Sequence, residues 1–181
     1  IPVSVDNDNN FSDAIQTLKF NEAYYVIDTY ARDCYKMQDN DFKKISRLPI
    51  NISPLAQAVI QPDPVLAQPR VFLFGGYPSS KLSFTSNNLI QFNPIKQLSP
   101  FDGRFYFGMS QFLSASSGLE KTILIGGTKG KAKDIARFQD VYSTMDGITW
   151  LKLPSMNWTS RPSFGLAQLD NLLLAFGGCR T

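Results

Sequence analysis

The chain contains no histidine. That removes the commonest general base, the Ser-His triad and every histidine metal site at once. The carboxylates Asp13, Asp28, Asp39, Asp41, Asp102 and Asp134 are scattered through turn-rich segments, and no two stand as an acid and base pair. Cys34 and Cys179 have no metal-ligand spacing. The Gly-Gly pairs at 75–76, 126–127 and 177–178 each close an apolar run and open no helix, so they do not read as phosphate cradles. The residues in hand therefore predict no catalytic set, no metal site and no cofactor.

Binding chemistry is better represented. Lys129, Lys131, Lys133 and Arg137 form the most distinctive basic run, suited to an acidic partner or, more blandly, to a solvated loop. Arg104 and Arg161 stand in similar local sequences, and their shared placement points to pairing with a carboxylate or carbonyl ahead of ligand binding. Three Asn-X-Ser/Thr triplets, at Asn10, Asn51 and Asn157, are candidate glycosylation sites. They favour an extracellular or cell-surface protein. If they are chance products of an Asn-rich and Ser-rich chain, a cytoplasmic location is the alternative. The start, Ile1-Pro2-Val3-Ser4, lacks a Met and suggests that a signal peptide, an upstream domain or other residues have been removed. A net charge of +3, from 18 basic and 15 acidic residues, is too mild to argue for nucleic acid. No run approaches the roughly 18 apolar residues of a membrane span.

The elements that must position these residues are strands. Aromatics make up 13% of the 181 residues, and Asn, Ser and Thr are plentiful, which favours strands and turns over helices. Val71-Phe72-Leu73-Phe74-Gly75-Gly76, Thr122-Ile123-Leu124-Ile125-Gly126-Gly127 and Leu172-Leu173-Leu174-Ala175-Phe176-Gly177-Gly178 are copies of one unit. Their first Gly residues recur at a constant spacing of 51. Upstream, Arg104-Phe105-Tyr106-Phe107-Gly108-Met109-Ser110-Gln111 parallels Arg161-Pro162-Ser163-Phe164-Gly165-Leu166-Ala167-Gln168. The earlier copy sets Pro54-Leu55-Ala56-Gln57 against Gly108 to Gln111 and has Ile50 where the others have Arg.

Downstream of the pair at 126–127, Asp140-Val141-Tyr142-Ser143 reads as a third strand. Met145-Asp146-Gly147 is then the turn into a fourth, Thr149-Trp150-Leu151-Lys152-Leu153. Asn88 to Pro94 is the same third strand and turn one repeat earlier. Tyr24 to Asp28 and Cys34 to Met37 look like third and fourth strands of a copy without its first half. The runs before each Gly pair are apolar on both sides of the strand, so both faces must be covered. Sheets stacked face to face in a ring satisfy that demand, and four-stranded units with a periodic Gly motif are the cue for a β-propeller.

These residues resemble the kelch repeat, an apolar strand ending in Gly-Gly followed by a Tyr and later a Trp, here Tyr142 and Trp150. Ser143 to Trp150 is also similar to the Asp-box of sialidase-type propellers, a structural hairpin remote from catalysis. The resemblance spans about residues 24 to 178 and implies an all-β, kelch-like propeller segment of about three four-stranded antiparallel blades. It is expected to comprise an N-terminal segment (1–20), the outer half of a blade (21–49), two blades (50–103 and 104–160) and the inner half of another (161–181).

Four blades of this size need roughly 200 residues, so the ring is expected to be incomplete. Either the chain is a fragment, or other chains complete the ring, or the period is misleading and the fold is an open β-sandwich. Loops after second and fourth strands should share one face, comprising residues 38–51, 77–81, 99–103, 128–137 and 154–160.

The resemblance implies a noncatalytic interaction or structural module that binds protein or glycan through that face, with other blades or chains as partners. The rival is a segment of a galactose-oxidase-like or sialidase-like enzyme whose catalytic residues lie elsewhere. Copper oxidases of the first kind need His ligands and a Cys-Tyr cofactor, which this segment alone lacks. Within one blade Cys34 and Cys179 would lie on opposite faces, so free thiols or outside partners are expected.

Overall fold

A computed structural model describes residues 15–63, 68–78, 80–115, 117–130, 135–159 and 161–179. These form β-strands joined by turns and loops, with no helix among them. The first sheet is a meander of β1 (Ile15–Phe20), β2 (Ala23–Asp28), β3 (Asp33–Gln38) and β4 (Asp41–Arg47). The second has β5 (Gln57–Pro62), β6 (Pro69–Phe74), β7 (Phe84–Ser86) and β8 (Asn93–Pro94) in the same order. The third contains β9 (Gly108–Leu113), β10 (Glu120–Ile125), β13 (Val141–Thr144) and β14 (Trp150–Leu153). A short ribbon of β11 (Thr128–Lys129) and β12 (Ala136–Arg137) fills its central loop. A last hairpin pairs β15 (Phe164–Leu169) with β16 (Leu172–Gly177). All pairings are antiparallel.

The two-residue turns of the first sheet explain its regular meander. Asn21-Glu22 and Asp39-Asn40 all have positive φ, between 46° and 65°. That geometry matches the right-handed twist of the flanking strands, and Asn and Asp tolerate it better than most residues.

The doubly apolar strands before the Gly pairs are covered on both faces, as their sequences require. Val71 and Leu73 of β6 pack with Phe20, Tyr25 and Ile27 of the first sheet. Phe72 and Phe74, pointing the other way, pack with Leu124 and Tyr142 of the third. Ile123 and Ile125 then meet Phe164 and Leu166 of the last hairpin. The sheets thus stack face to face in sequence order, and their first strands β1, β5, β9 and β15 are successive neighbours.

Three expectations need correction. The third strand of the second sheet is β7 (Phe84–Ser86), so Asn88 to Pro94 holds instead the turn that follows it and β8. Tyr24 to Asp28 and Cys34 to Met37 lie in the second and third strands of a complete sheet, with Ile15–Phe20 as the first. A boundary at residue 20 falls in the turn of a hairpin. The counterpart of Arg104 is also not Ile50. Gln57 pairs with Phe74 as Gly108 pairs with Ile125, which sets Ser53 at the position of Arg104. The backbone repeats the same contact in three copies: the N–H groups of Tyr77, Thr128 and Cys179 donate to the carbonyls of Pro54, Phe105 and Pro162.

The second Gly of each pair faces this contact. A Cβ at Gly76 would stand 2.5 Å from Ser53 Cβ and 2.7 Å from the Pro54 carbonyl, and its φ of +104° is itself hostile to a side chain.

Candidate functional site

Arg104 is fully buried, at 0% exposure. Its Nη1 donates to Asp140 Oδ1 at 2.5 Å and to the Gly126 carbonyl at 2.8 Å, while Nη2 donates to Asp140 Oδ2 at 2.9 Å. Nε donates to the Asp102 carbonyl. The guanidinium lies over the Phe138 ring at 4.1 Å and near Phe101 and Tyr142. Five planar donors suit this mixture of bidentate carboxylate, carbonyls and ring faces. Arg104 therefore ties the start of β9 to the loop between β10 and β13 within its own sheet, and does not present a charge to a ligand.

Asp140 also accepts from the Tyr142 hydroxyl, whose pKa is raised by burial and by the Asp140 charge, partly offset by Arg104. The first sheet repeats the pair. Tyr35 is raised by burial and by Asp33, its hydrogen-bond partner. Asp33-Cys34-Tyr35 and Asp140-Val141-Tyr142 are thus the same lead-in to a third strand.

Arg161 is half-buried at the position equivalent to Arg104. It lies 5.7 Å from the Trp158 ring, and its buried Nε has no hydrogen-bond partner among the described residues.

Three of the loops expected on one face do meet. Asp102 lies 3.5 Å from Lys81 Nζ and 3.7 Å from Lys129 Nζ. All three side chains are about half exposed, so the cluster adds little stability but leaves cations and backbone groups available on a common surface. Arg137 is exposed on β12, which pairs with β11, so Lys129 and Arg137 belong to one ribbon. Lys131 and Lys133 lie outside the described residues. Asn51 and Asn157 are exposed in loops after fourth strands, open to modification, whereas Asn10 lies outside the described residues. Residues 39–40, expected in the same face, instead form the turn between β3 and β4 at the opposite end of the sheet.

Where the four first strands converge they enclose a cleft of about 260 Å³. Ile15 and Gln16, Leu55 and Gln57, Tyr106 and Phe107, and Ser163 and Phe164 line it, two residues at or just before the start of each first strand. Leu55, Tyr106 and Ser163 hold positive φ of 63°, 54° and 58° at equivalent repeat positions. The volume falls below the roughly 300 Å³ at which ordinary ligand pockets begin, and among the described residues no charged side chain lines it. Amide and hydroxyl groups there can hydrogen-bond a neutral polar group, but no nucleophile and base are gathered.

Glutamines bind the neighbouring first strands to one another. Gln16 donates to the Ala56 carbonyl and accepts from the Ala58 N–H at 2.5 Å. Gln111 donates to the Ile60 carbonyl at 2.7 Å. Gln168 donates to the Leu113 carbonyl at 2.8 Å and accepts from its N–H at 2.7 Å. The sequence showed Gln111 and Gln168 in register but not what they hold.

The Asp-box-like segment is a capped hairpin. Asp146 Oδ1 accepts from the N–H groups of Ile148 and Thr149 and from the Thr144 hydroxyl, which itself accepts from Gly147 N–H. Burial acts to raise the Asp146 pKa, and these donors outweigh it, leaving the carboxyl below its ordinary value. Ser86 and Asn88 build the same turn between β7 and β8. Cys34, near the start of β3 and not at a turn between third and fourth strands, is a buried free thiol, and burial pushes it up to about 12 despite hydrogen bonds from Ser46 and Tyr35. Cys179 is free and exposed.

Among the described residues no three His, Cys, Asp or Glu side chains are gathered to hold a metal. The described residues include no helix long and apolar enough to cross a membrane. No protein-family profile and no curated protein sequence matches the chain. A solved structure does: "Structure of YjhT" matches with a TM-score of 0.63 at 14% identity. The match covers 91% of this chain and 61% of that one. The chain therefore spans less than two-thirds of that protein's length, and the likeness is one of fold.

Proposed function

We propose that the chain contributes sheets to a kelch-like β-propeller and serves as a noncatalytic interaction or structural module of an extracellular or cell-surface protein. The observation that supports it best is the convergence of β1, β5, β9 and β15 on one cleft, with later strands following outward in each complete sheet. Face-to-face burial of the strands before each Gly pair supports the same reading. In this arrangement the surface built by Lys81, Asp102, Lys129 and Arg137 binds a protein or glycan, and the cleft lies on the axis. Other blades, from the same polypeptide or from other chains, complete the ring.

Two measurements test the proposal. Intact mass after expression in a secretory host should show glycans on Asn51 and Asn157; unmodified asparagines would remove the support for secretion. Metal analysis of the full polypeptide that carries these sheets should find no stoichiometric metal. Stoichiometric copper would overturn the noncatalytic reading in favour of a galactose-oxidase-like enzyme.

A further inference from the structure

The last sheet has two strands among the described residues, and β16 pairs only with β15. In the third sheet, the corresponding edge of β10 carries β13. The pairing of Phe176 with Gly165 and of Ile125 with Gly108 fixes the equivalence of the two strands. Thr122 and Leu124 are fully buried, whereas their counterparts Leu173 and Ala175 are only partly covered.

The guanidinium beside this edge makes the difference chemical as well as geometric. Arg104 is closed by Asp140, the residue immediately before β13. Arg161 occupies the same position, packed on Trp158, and among the described residues no carboxylate closes on it; its buried Nε, the nitrogen that in Arg104 donates to a backbone carbonyl, also has no hydrogen-bond partner among them. In Arg104 the two Nη groups form the fork that holds Asp140, and a carboxylate is the group such a fork fits best. Within this chain, the two sequences of the form Asp-apolar-Tyr, Asp33-Cys34-Tyr35 and Asp140-Val141-Tyr142, both open third strands.

We propose that the free edge of β16 receives an antiparallel strand opened by the pattern Asp-apolar-Tyr, whose aspartate closes on Arg161 as Asp140 closes on Arg104. This rests on the repeat arrangement of the proposed function and adds the chemistry by which the next strand is recognised. Backbone groups along β16 supply the pairing, as in other strand additions, while the Arg-Asp fork sets register. An apolar strand without the acid would satisfy the edge but leave the guanidinium open.

The probe is a fluorescent synthetic peptide comprising residues 138–154 of this chain, which carries Asp140, Tyr142 and the following hairpin. Anisotropy is measured as the full 181-residue chain is titrated in. Saturable binding is expected, weakened at least tenfold by Asp140→Asn in the peptide or by Arg161→Gln in the chain. Making both changes should cost no more than either alone. The peptide variant leaves the folding of the chain untouched, so its result stands even if Arg161→Gln destabilises the last hairpin. Equal affinity of the Asn peptide would overturn the aspartate rule while leaving strand completion, and with it the proposed propeller, intact. Absence of saturable binding would overturn strand addition at this edge.

Discussion

Replacing Asp140 by alanine removes both oxygens that hold the Arg104 fork and leaves a fully buried guanidinium with two carbonyl partners and three aromatic rings. Truncating one partner of a buried ion pair typically costs about 3–5 kcal/mol, because the remaining charge cannot regain its water. With a urea m-value of about 2 kcal/mol/M for a domain of this size, the unfolding midpoint should fall by about 1.5–2.5 M. Arg104→Met, which removes the charge and keeps apolar bulk, should cost less than Asp140→Ala. In the double variant, loss of Asp140 should add little, giving a coupling energy of about 2 kcal/mol or more. Asp102→Ala is the control. Its contacts with Lys81 and Lys129 are half exposed and should contribute within about 1 kcal/mol. Urea titration followed by Trp fluorescence provides the readout. A loss under about 1 kcal/mol for Asp140→Ala, or simple additivity with Arg104→Met, would refute the assignment of Arg104 as the internal tie of this repeat.

The Asp146 turn should be acid-sensitive. Its folded pKa lies below the ordinary value of 3.8, so the stability it contributes is present above that value and is lost as pH falls through the folded pKa. Asp146→Asn, which keeps an acceptor as Asn88 does, should flatten the stability profile below about pH 4; an unchanged acid slope in urea titrations would contradict this. Thiol labelling should modify Cys179 rapidly in the native chain and Cys34 only as fast as the structure unfolds. Rapid labelling of both would show that the first sheet does not bury Cys34.

How much of this was legible follows from the residues that mark each repeat. The pairs at 75–76, 126–127 and 177–178 gave the period because all six hold positive φ and the second of each pair packs closely on the entry to the first strand, both of which favour Gly. In the first sheet Asp28-Thr29 stand at the corresponding place. There Asp28 Oδ1 accepts from the N–H groups of Tyr30 and Ala31, an Asx turn that replaces glycine with a side-chain acceptor. The sequence motif vanished while the chain path persisted, and a complete sheet read as half of one. Phe84 and Phe92 similarly occupy the places of Tyr142 and Trp150 in the second sheet, preserving apolar packing without the expected residue types. The Ser86-Asn88 echo of Thr144-Asp146 was visible as a spacing of polar residues. The positive φ of Leu55, Tyr106 and Ser163 was not, because those residues carry no turn signal and their backbones are set by neighbouring sheets. The ion pairing of Asp102 with both lysines also depended on loops far apart in sequence, although their common face followed from strand order.

In the proposed arrangement the last hairpin needs a neighbouring sheet. Phe176 and Leu174 are 59% and 42% exposed where their counterparts Ile125 and Ile123 are 2% and 8% exposed, so among the described residues one face and one edge of the last hairpin lie open. Covering each such side chain contributes about 1.5–3 kcal/mol, a strong incentive to associate. Size-exclusion chromatography with light scattering on the isolated 181-residue chain measures this directly. An oligomer or aggregate, growing with concentration, is the predicted result; a stable, monodisperse monomer would contradict the claim that these sheets are part of a larger ring.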